Sequence, residues 1–203
     1  MKVSLFLPNQ LFYEIPKEVS ANRIYLIEEN SFFKKFNYNK QKLVFLRHAV
    51  LEYCALLDSL NLDYDYICSK DVRSDIGAFI NFCLSEGVKS ISIIDPVNFE
   101  LLSDLKRHTK TNNIDLEIIP SESFINKDIR NDPFFRTDKR IFRHADFYKK
   151  QRIKHDILMD LDHPYGGKWS FDTENRKSYP KGKKTPNIHH PTNKLFRRAA
   201  HEI

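Results

Sequence analysis

Over its first 126 residues the chain alternates between two spacings of hydrophobic and polar positions. Short β-branched or aromatic runs, KVSLFL (2–7), RIYLI (23–27), YDYIC (64–68), SISII (90–94) and LEII (116–119), have the length and composition of buried strands. Between them apolar residues recur every three or four positions. Leu43, Leu46, Val50, Tyr53, Leu57 and Leu60 draw one stripe between Gln41 and Leu60, and Ile76, Phe79, Ile80 and Cys83 draw another. Ser74 is the expected cap of that second helix and Gly87 its stop; a third helix is expected from Phe99 to about Lys110. Strand and helix in alternation predict a doubly wound α/β domain, with a five-stranded, mainly parallel sheet covered by helices on both faces.

After residue 120 the rhythm changes. Pro120, Pro133 and polar residues make a connecting stretch, and Phe142 to Leu161 reads as a helix with Arg143, Lys150 and Lys154 on one side. From His163 onward Pro and Gly are frequent. The last residues, TNKLFRRAAHEI, read as a helix that starts at Thr192 and is still running at residue 203, as expected of a chain cut from a longer protein. The expected division is therefore 1–126, an α/β domain, and 127–203, a basic helical and irregular extension.

Charge follows the same division. Residues 1–126 carry 14 Lys and Arg against 17 Asp and Glu, whereas residues 127–203 carry 19 against 10. A basic segment of this kind suits an acidic partner, nucleic acid being the commonest, or is a solvated surface without a specific ligand. No apolar run approaches the roughly 20 residues needed to cross a bilayer, and polar residues interrupt the N-terminal MKVSLFLPNQ before a signal-peptide core forms, so a cytoplasmic protein is expected. Cys54, Cys68 and Cys83 lack the spacing of a disulfide framework or zinc knuckle and read as free thiols. His163, His189, His190 and His201 have no regular ligand spacing, so no metal site is expected.

Ligands of such sheets sit beyond the carboxyl ends of the strands, which here are Pro8–Leu11, 28–36 and Asp95 with Pro96. None carries a glycine-rich phosphate loop. One further stretch, GGKWSFDTENR (166–176), gathers two glycines, the only tryptophan and a cluster of charged and amide side chains outside any regular pattern.

Four segments in order, PNQLF (8–12), FNYNKQKLVFLRHAVLEY (36–53), FYKKQRIKHDILMD (147–160) and GGKWSFDTENR (166–176), resemble the photolyase-related branch of the cryptochrome/photolyase family, whose full-length members include bacterial iron–sulfur proteins. The last segment is the most specific. The resemblance implies an N-terminal α/β antenna domain preceding a helical domain that holds FAD and, in this branch, an iron–sulfur cluster. In the family this helical domain binds damaged DNA, and the light-excited flavin passes an electron to the lesion. The α/β domain commonly carries a second chromophore, often a ribityl-lumazine or similar flavin-like heterocycle. No such helical domain can be built from these 203 residues, so FAD and the cluster are expected only outside this chain, in a partner domain in cis or in trans, and the chain by itself is not expected to repair DNA.

The candidate chromophore residues are Asn9 and Gln10 after the first strand, Glu28 after the second, and Ser31, Phe32 and Lys40 in the following loop. They offer amides and a carboxylate for ring nitrogens and hydroxyls and an aromatic wall. In the family the position of Asn9 is commonly acidic; the amide keeps an acceptor without the charge. Arg47, beside the helical stripe, is expected in a salt bridge or a snorkelling contact rather than on a phosphate. Candidate interdomain or DNA contacts are Arg143, Lys150, Lys154, Gly166, Gly167, Trp169, Asp172, Glu174, Asn175 and Arg176, with Lys181, Lys183 and Lys184 adding charge. DNA binding through them would be weak and non-specific. The loop 166–176 also admits a purely structural reading, in which its glycines, aromatics and charges only fix its own shape. Two further functions remain open: a non-enzymatic module that recruits nucleic acid or a separate helical subunit, and a small-molecule enzyme on the strand-end cleft, for which no nucleophile with its base is visible.

Overall fold

A computed structural model describes residues 1–20, 22–126, 132–135, 138, 140–172, 176–188 and 193–203. The chain divides into two compact units, Met1–Lys127 with His190–Ile203, and Asp128–His189. Among the described residues no helix is long and apolar enough to cross a membrane.

The first unit is the α/β fold. Strands β1 (Lys2–Phe6), β2 (Arg23–Ile27), β3 (Tyr64–Ile67), β4 (Ser90–Ile94) and β5 (Asp115–Ile119) form one sheet in the order β3-β2-β1-β4-β5, every pair parallel. Side chains alternate across it, as a strand's twofold repeat demands. Val3, Leu5, Tyr25, Ile27, Ile91 and Ile93 enter a core with α4 (Ile76–Ser85) and α5 (Phe99–Thr111). Phe6, Ile24, Leu26 and Ile94 face the other way, against α1 (Lys17–Ser20) and α3 (Lys40–Ser59). The short helix α2 (Asn30–Phe33) follows β2.

Several expectations shift. The cap of α4 is Asp75, whose carboxylate accepts from Ala78 N at 3.0 Å, while Ser74 closes a 3₁₀ turn (Val72–Ser74) and donates to Asn30 Oδ1. On α3 the buried set includes Val44, Arg47, Leu51 and Cys54 beside the expected Val50, Tyr53 and Leu57, whereas Leu60 is exposed. The widening has a distant cause. Helix α7 (Lys194–Glu202), capped by Asn193, belongs to the first unit and packs Ala199, Leu195 and Phe196 over Val44 and Leu51. Thr192, its expected start, lies outside the described residues.

The second unit is small and aromatic. A 3₁₀ turn (Pro133–Phe135) sets Phe134 and Phe135 against Phe142 and against Phe147 of α6 (His144–Lys154). The helix expected to reach Leu161 stops at Lys154, where Asp156 at φ 52° turns the chain, and Arg152 reaches forward to donate from Nε to Ile157 O at 3.0 Å and from its guanidinium terminus to Leu158 O. The carbonyls of the last turn are met by the backbone that follows, Ile157 N donating to Arg152 O at 3.0 Å and Asp156 N to Ile153 O at 3.3 Å. Asp156, Leu158 and Leu161 take positive φ, and the antiparallel pair β6 (Met159–Asp160) and β7 (His163–Pro164) follows.

Candidate functional site

Because β1 pairs with β2 on one side and β4 on the other, the strand order reverses between β1 and β4, which makes their carboxyl ends the natural ligand crevice. Here that crevice is stitched shut. Gln10, fully buried, accepts from Leu7 N at 3.1 Å and donates to Ile94 O, and Asn9 donates to Pro96 O at 3.0 Å. Both amides join the two strand ends.

Glu28 is likewise committed. It is 0% exposed and forms a two-pronged ion pair with Arg47, whose Nε lies 2.7 Å from Oε1. It also accepts from Tyr66 OH and from Ser69 N, each at 2.8 Å, and Arg47 donates to Ser69 Oγ at 2.8 Å. The Glu28 hydrogen bonds raise the Arg47 pKa, against the opposing effect of burial. Burial, then the Glu28 charge, raises that of Tyr66. A carboxylate with this many donors has no lone pair directed toward a ligand. Phe32 is half-buried against the sheet core, and Lys40 is exposed at the start of α3.

One residue further on, the chain opens. A cleft of about 370 Å³ lies among Glu29, Asn30, Ser31, Asp75, Asn98 and Leu101, with Lys34, Lys35, Glu100 and Asp104 at its walls. Of the expected residues only Ser31 lines it. Glu29 is 5% exposed and caps α2, accepting from Ser31 N at 2.8 Å and from the Ser31 hydroxyl. Burial raises its pKa above 4.5, although the Ser31 hydrogen bonds pull the other way. Four carboxylates against two lysines, one of them (Lys35) paired with Glu100, make the cleft acidic. No spacing rule singles out Asp75 or Asn98, each of which also caps a helix; only the sheet brings them beside Glu29.

The second unit holds a larger cleft, about 780 Å³. Its floor is one face of α6, where His144, Tyr148 and Arg152 recur every four residues, with Lys149 beside them; the opposite wall is Tyr165, Trp169 and Phe171. Arg152 is 6% exposed, with its guanidinium carbon 5.6 Å from the Tyr148 ring centre and 5.3 Å from that of Trp169, while Lys149 Nζ is 5.7 Å from the same indole. These are cation–π distances. The loop shape depends on Gly166 and Gly167, at φ 78° and 73°. A Cβ on Gly166 would stand 2.9 Å from Phe171 Cζ.

Sequence reading marked Trp169 and the glycines but passed over His144, Tyr148, Lys149, Arg152 and Tyr165. Their four-residue recurrence was the available signal, and it is easily missed because it mixes aromatic and basic residues. The basic residues it did mark on α6 face elsewhere. Lys150 Nζ lies 5.4 Å from the Phe134 ring, and Lys154 pairs with Asp132 at 3.4 Å. Arg143 precedes the first turn without a side-chain cap bond, Asp172 is exposed and lines the aromatic cleft with its carboxylate, and Arg176, Lys181, Lys183 and Lys184 are exposed. Glu174, Asn175, His189 and His190 lie outside the described residues. Among the described residues no three His, Cys, Asp or Glu side chains gather as they would around a metal ion. Cys54 and Cys83 are buried free thiols, pushed by burial up to about 11 and about 12.

Comparison with known proteins places this architecture. Uncharacterized protein R852 of Acanthamoeba polyphaga mimivirus is 30% identical over 189 residues, which cover 88% of this chain and 95% of the viral protein. The family model described as deoxyribodipyrimidine photo-lyase-related protein matches residues 4–203, spanning the α/β unit and the aromatic unit alike. The chain therefore belongs to the deoxyribodipyrimidine photo-lyase-related protein family.

Proposed function

We propose that the α/β unit is an antenna-type module that holds a neutral, ribityl-bearing heterocycle in the cleft around Glu29, as part of a light-driven system completed by a helical FAD domain in cis or in trans. The carrying observation is the cleft itself, which opens beside the closed switch point, among the segments that follow β2 and β4, and falls within the roughly 300–1,000 Å³ of small-molecule sites. Such a heterocycle, when bound, would absorb light and pass the excitation to the flavin. Assignment to the branch with iron–sulfur proteins rests on the four ordered segments, GGKWSFDTENR above all.

The residues suit a polyol tail better than a bare ring. Ser31, Asn30 and Asn98 supply hydroxyl and amide groups, Glu29 and Asp75 supply carboxylates, and Leu101 is the apolar contact. Excess negative charge works against a phosphorylated flavin, because a phosphate would lie close to several carboxylates with only Lys34 and Lys35 to offset it. Ribityl-lumazine and riboflavin should therefore bind more tightly than flavin mononucleotide, and Asp104→Lys should narrow the gap. Ligand fluorescence polarisation and the melting shift at excess ligand measure both. No shift with either uncharged heterocycle, or binding that survives filling the cleft with Ser31→Trp, would show that this cleft is not the site.

A further inference from the structure

We propose that the aromatic cleft of the second unit is a binding site for single-stranded nucleic acid, taking unpaired bases between its rings without regard to damage or sequence. The inference goes beyond the chromophore reading and uses none of its residues.

Three observations carry it. Large aromatic surfaces are left in solvent along one cleft: Tyr165 is 68% exposed and Phe171 66%, beside the half-buried Trp169. Charge sits on the same rings. Lys149 and Arg152 lie against Trp169, and among the described residues Arg152 has backbone carbonyls but no carboxylate for a partner, so its charge is retained at the cleft floor. Finally, the charge extends past the cleft. Asp128–His189 contains 15 Lys and Arg against 9 Asp and Glu, which is the whole net charge of +6, the first unit being neutral. Exposed π faces inside a positive groove are what a single strand requires, since every base offers a face to stack and every linkage a phosphate. A duplex hides its base faces, and a free nucleotide carries a single phosphate group, whereas the cleft offers Lys149 and Arg152 and the chain after it adds the exposed Arg176, Lys181, Lys183 and Lys184. A strand uses both features.

Trp169 is the only tryptophan, so its fluorescence reports this cleft alone. The full chain is titrated with an oligodeoxythymidylate of about 10 residues, a site size typical of such grooves. Thymidine monophosphate and a duplex of the same length serve as comparisons, with anisotropy of labelled strands giving affinities at several salt concentrations. The oligonucleotide should quench Trp169 and bind more tightly than either comparison. Tyr165→Ala, at an exposed side chain whose loss leaves the fold intact, should weaken it by roughly 5-fold or more, as loss of one stacked base does. Lys149→Ala should flatten the salt dependence by about 0.7 in log–log slope. Lys106→Ala, which removes the same charge from the first unit, should change affinity by less than about twofold. The proposal is overturned if the oligonucleotide leaves Trp169 unquenched, if the monophosphate or duplex binds as tightly, if Tyr165→Ala changes nothing, or if Lys106→Ala matches Lys149→Ala.

Discussion

Among the described residues each unit buries one arginine, and the two are treated in opposite ways. Arg47 lies in the α/β unit against Glu28, with Tyr66 and Ser69 completing the network. Arg152 lies in the aromatic unit against Tyr148, Trp169 and two carbonyls. In the first case the positive charge is cancelled and the residues become scaffold, holding the carboxyl end of β2 to α3. In the second the guanidinium ties the chain after α6 to the helix and meets no carboxylate among the described residues. A buried arginine is thus neutralised where a carboxylate meets it, and stays an unneutralised cation where only dipoles and π faces do.

The largest test of this contrast removes the carboxylate. Glu28→Ala leaves Arg47 charged and unpaired in the interior, and should cost about 3–5 kcal/mol in denaturant unfolding followed by circular dichroism. Replacing both partners, Glu28→Leu with Arg47→Met, should recover most of that loss. A single-variant cost below about 1 kcal/mol, the range of surface pairs, would dissolve the distinction between the two arginines.

On the other side of the comparison stands the glycine that shapes the aromatic wall. Gly166→Ala puts a side chain at φ 78° and a Cβ 2.9 Å from Phe171. The backbone conformation alone should cost about 1–2 kcal/mol. The change should appear in the Trp169 emission and its unfolding midpoint, because indole and glycine share one loop. An unaltered emission and midpoint would mean the loop takes its shape from something else.

A smaller effect concerns pH. Burial raises the Glu29 pKa above 4.5, so the folded state holds its proton more tightly than the unfolded chain does. That contribution to stability is complete below 4.5 and is lost as pH rises through the higher folded value. Glu29→Gln, neutral throughout and still able to accept from Ser31, should flatten the melting temperature across this window. An identical slope in the variant would place the titrating group elsewhere.

The sheet was legible because strands and helices have different hydrophobic repeats and each strand here is bounded by polar residues. KVSLFL and SISII name themselves. The aromatic unit was less so. Its helix was expected to run to Leu161 because FYKKQRIKHDILMD keeps a helical composition throughout, and no local rule says that Arg152 will bond the carbonyls of 157 and 158. The cleft proposed as the chromophore site opens one residue beyond the expected Glu28, and that residue mattered. Glu28 and Glu29 are chemically alike, but successive side chains at a strand end point in different directions. Glu28 turned into Arg47 and Glu29 into the cleft.

By itself the sequence determined the class of fold, the parallel sense of the sheet and the separation of a mildly acidic part from a basic one, since all three follow from local periodicity and composition. Tertiary structure alone decided which polar groups were left for a ligand. Packing brought Arg47 to Glu28 and Gln10 to Ile94, and a polar group already satisfied in the interior is withdrawn from recognition.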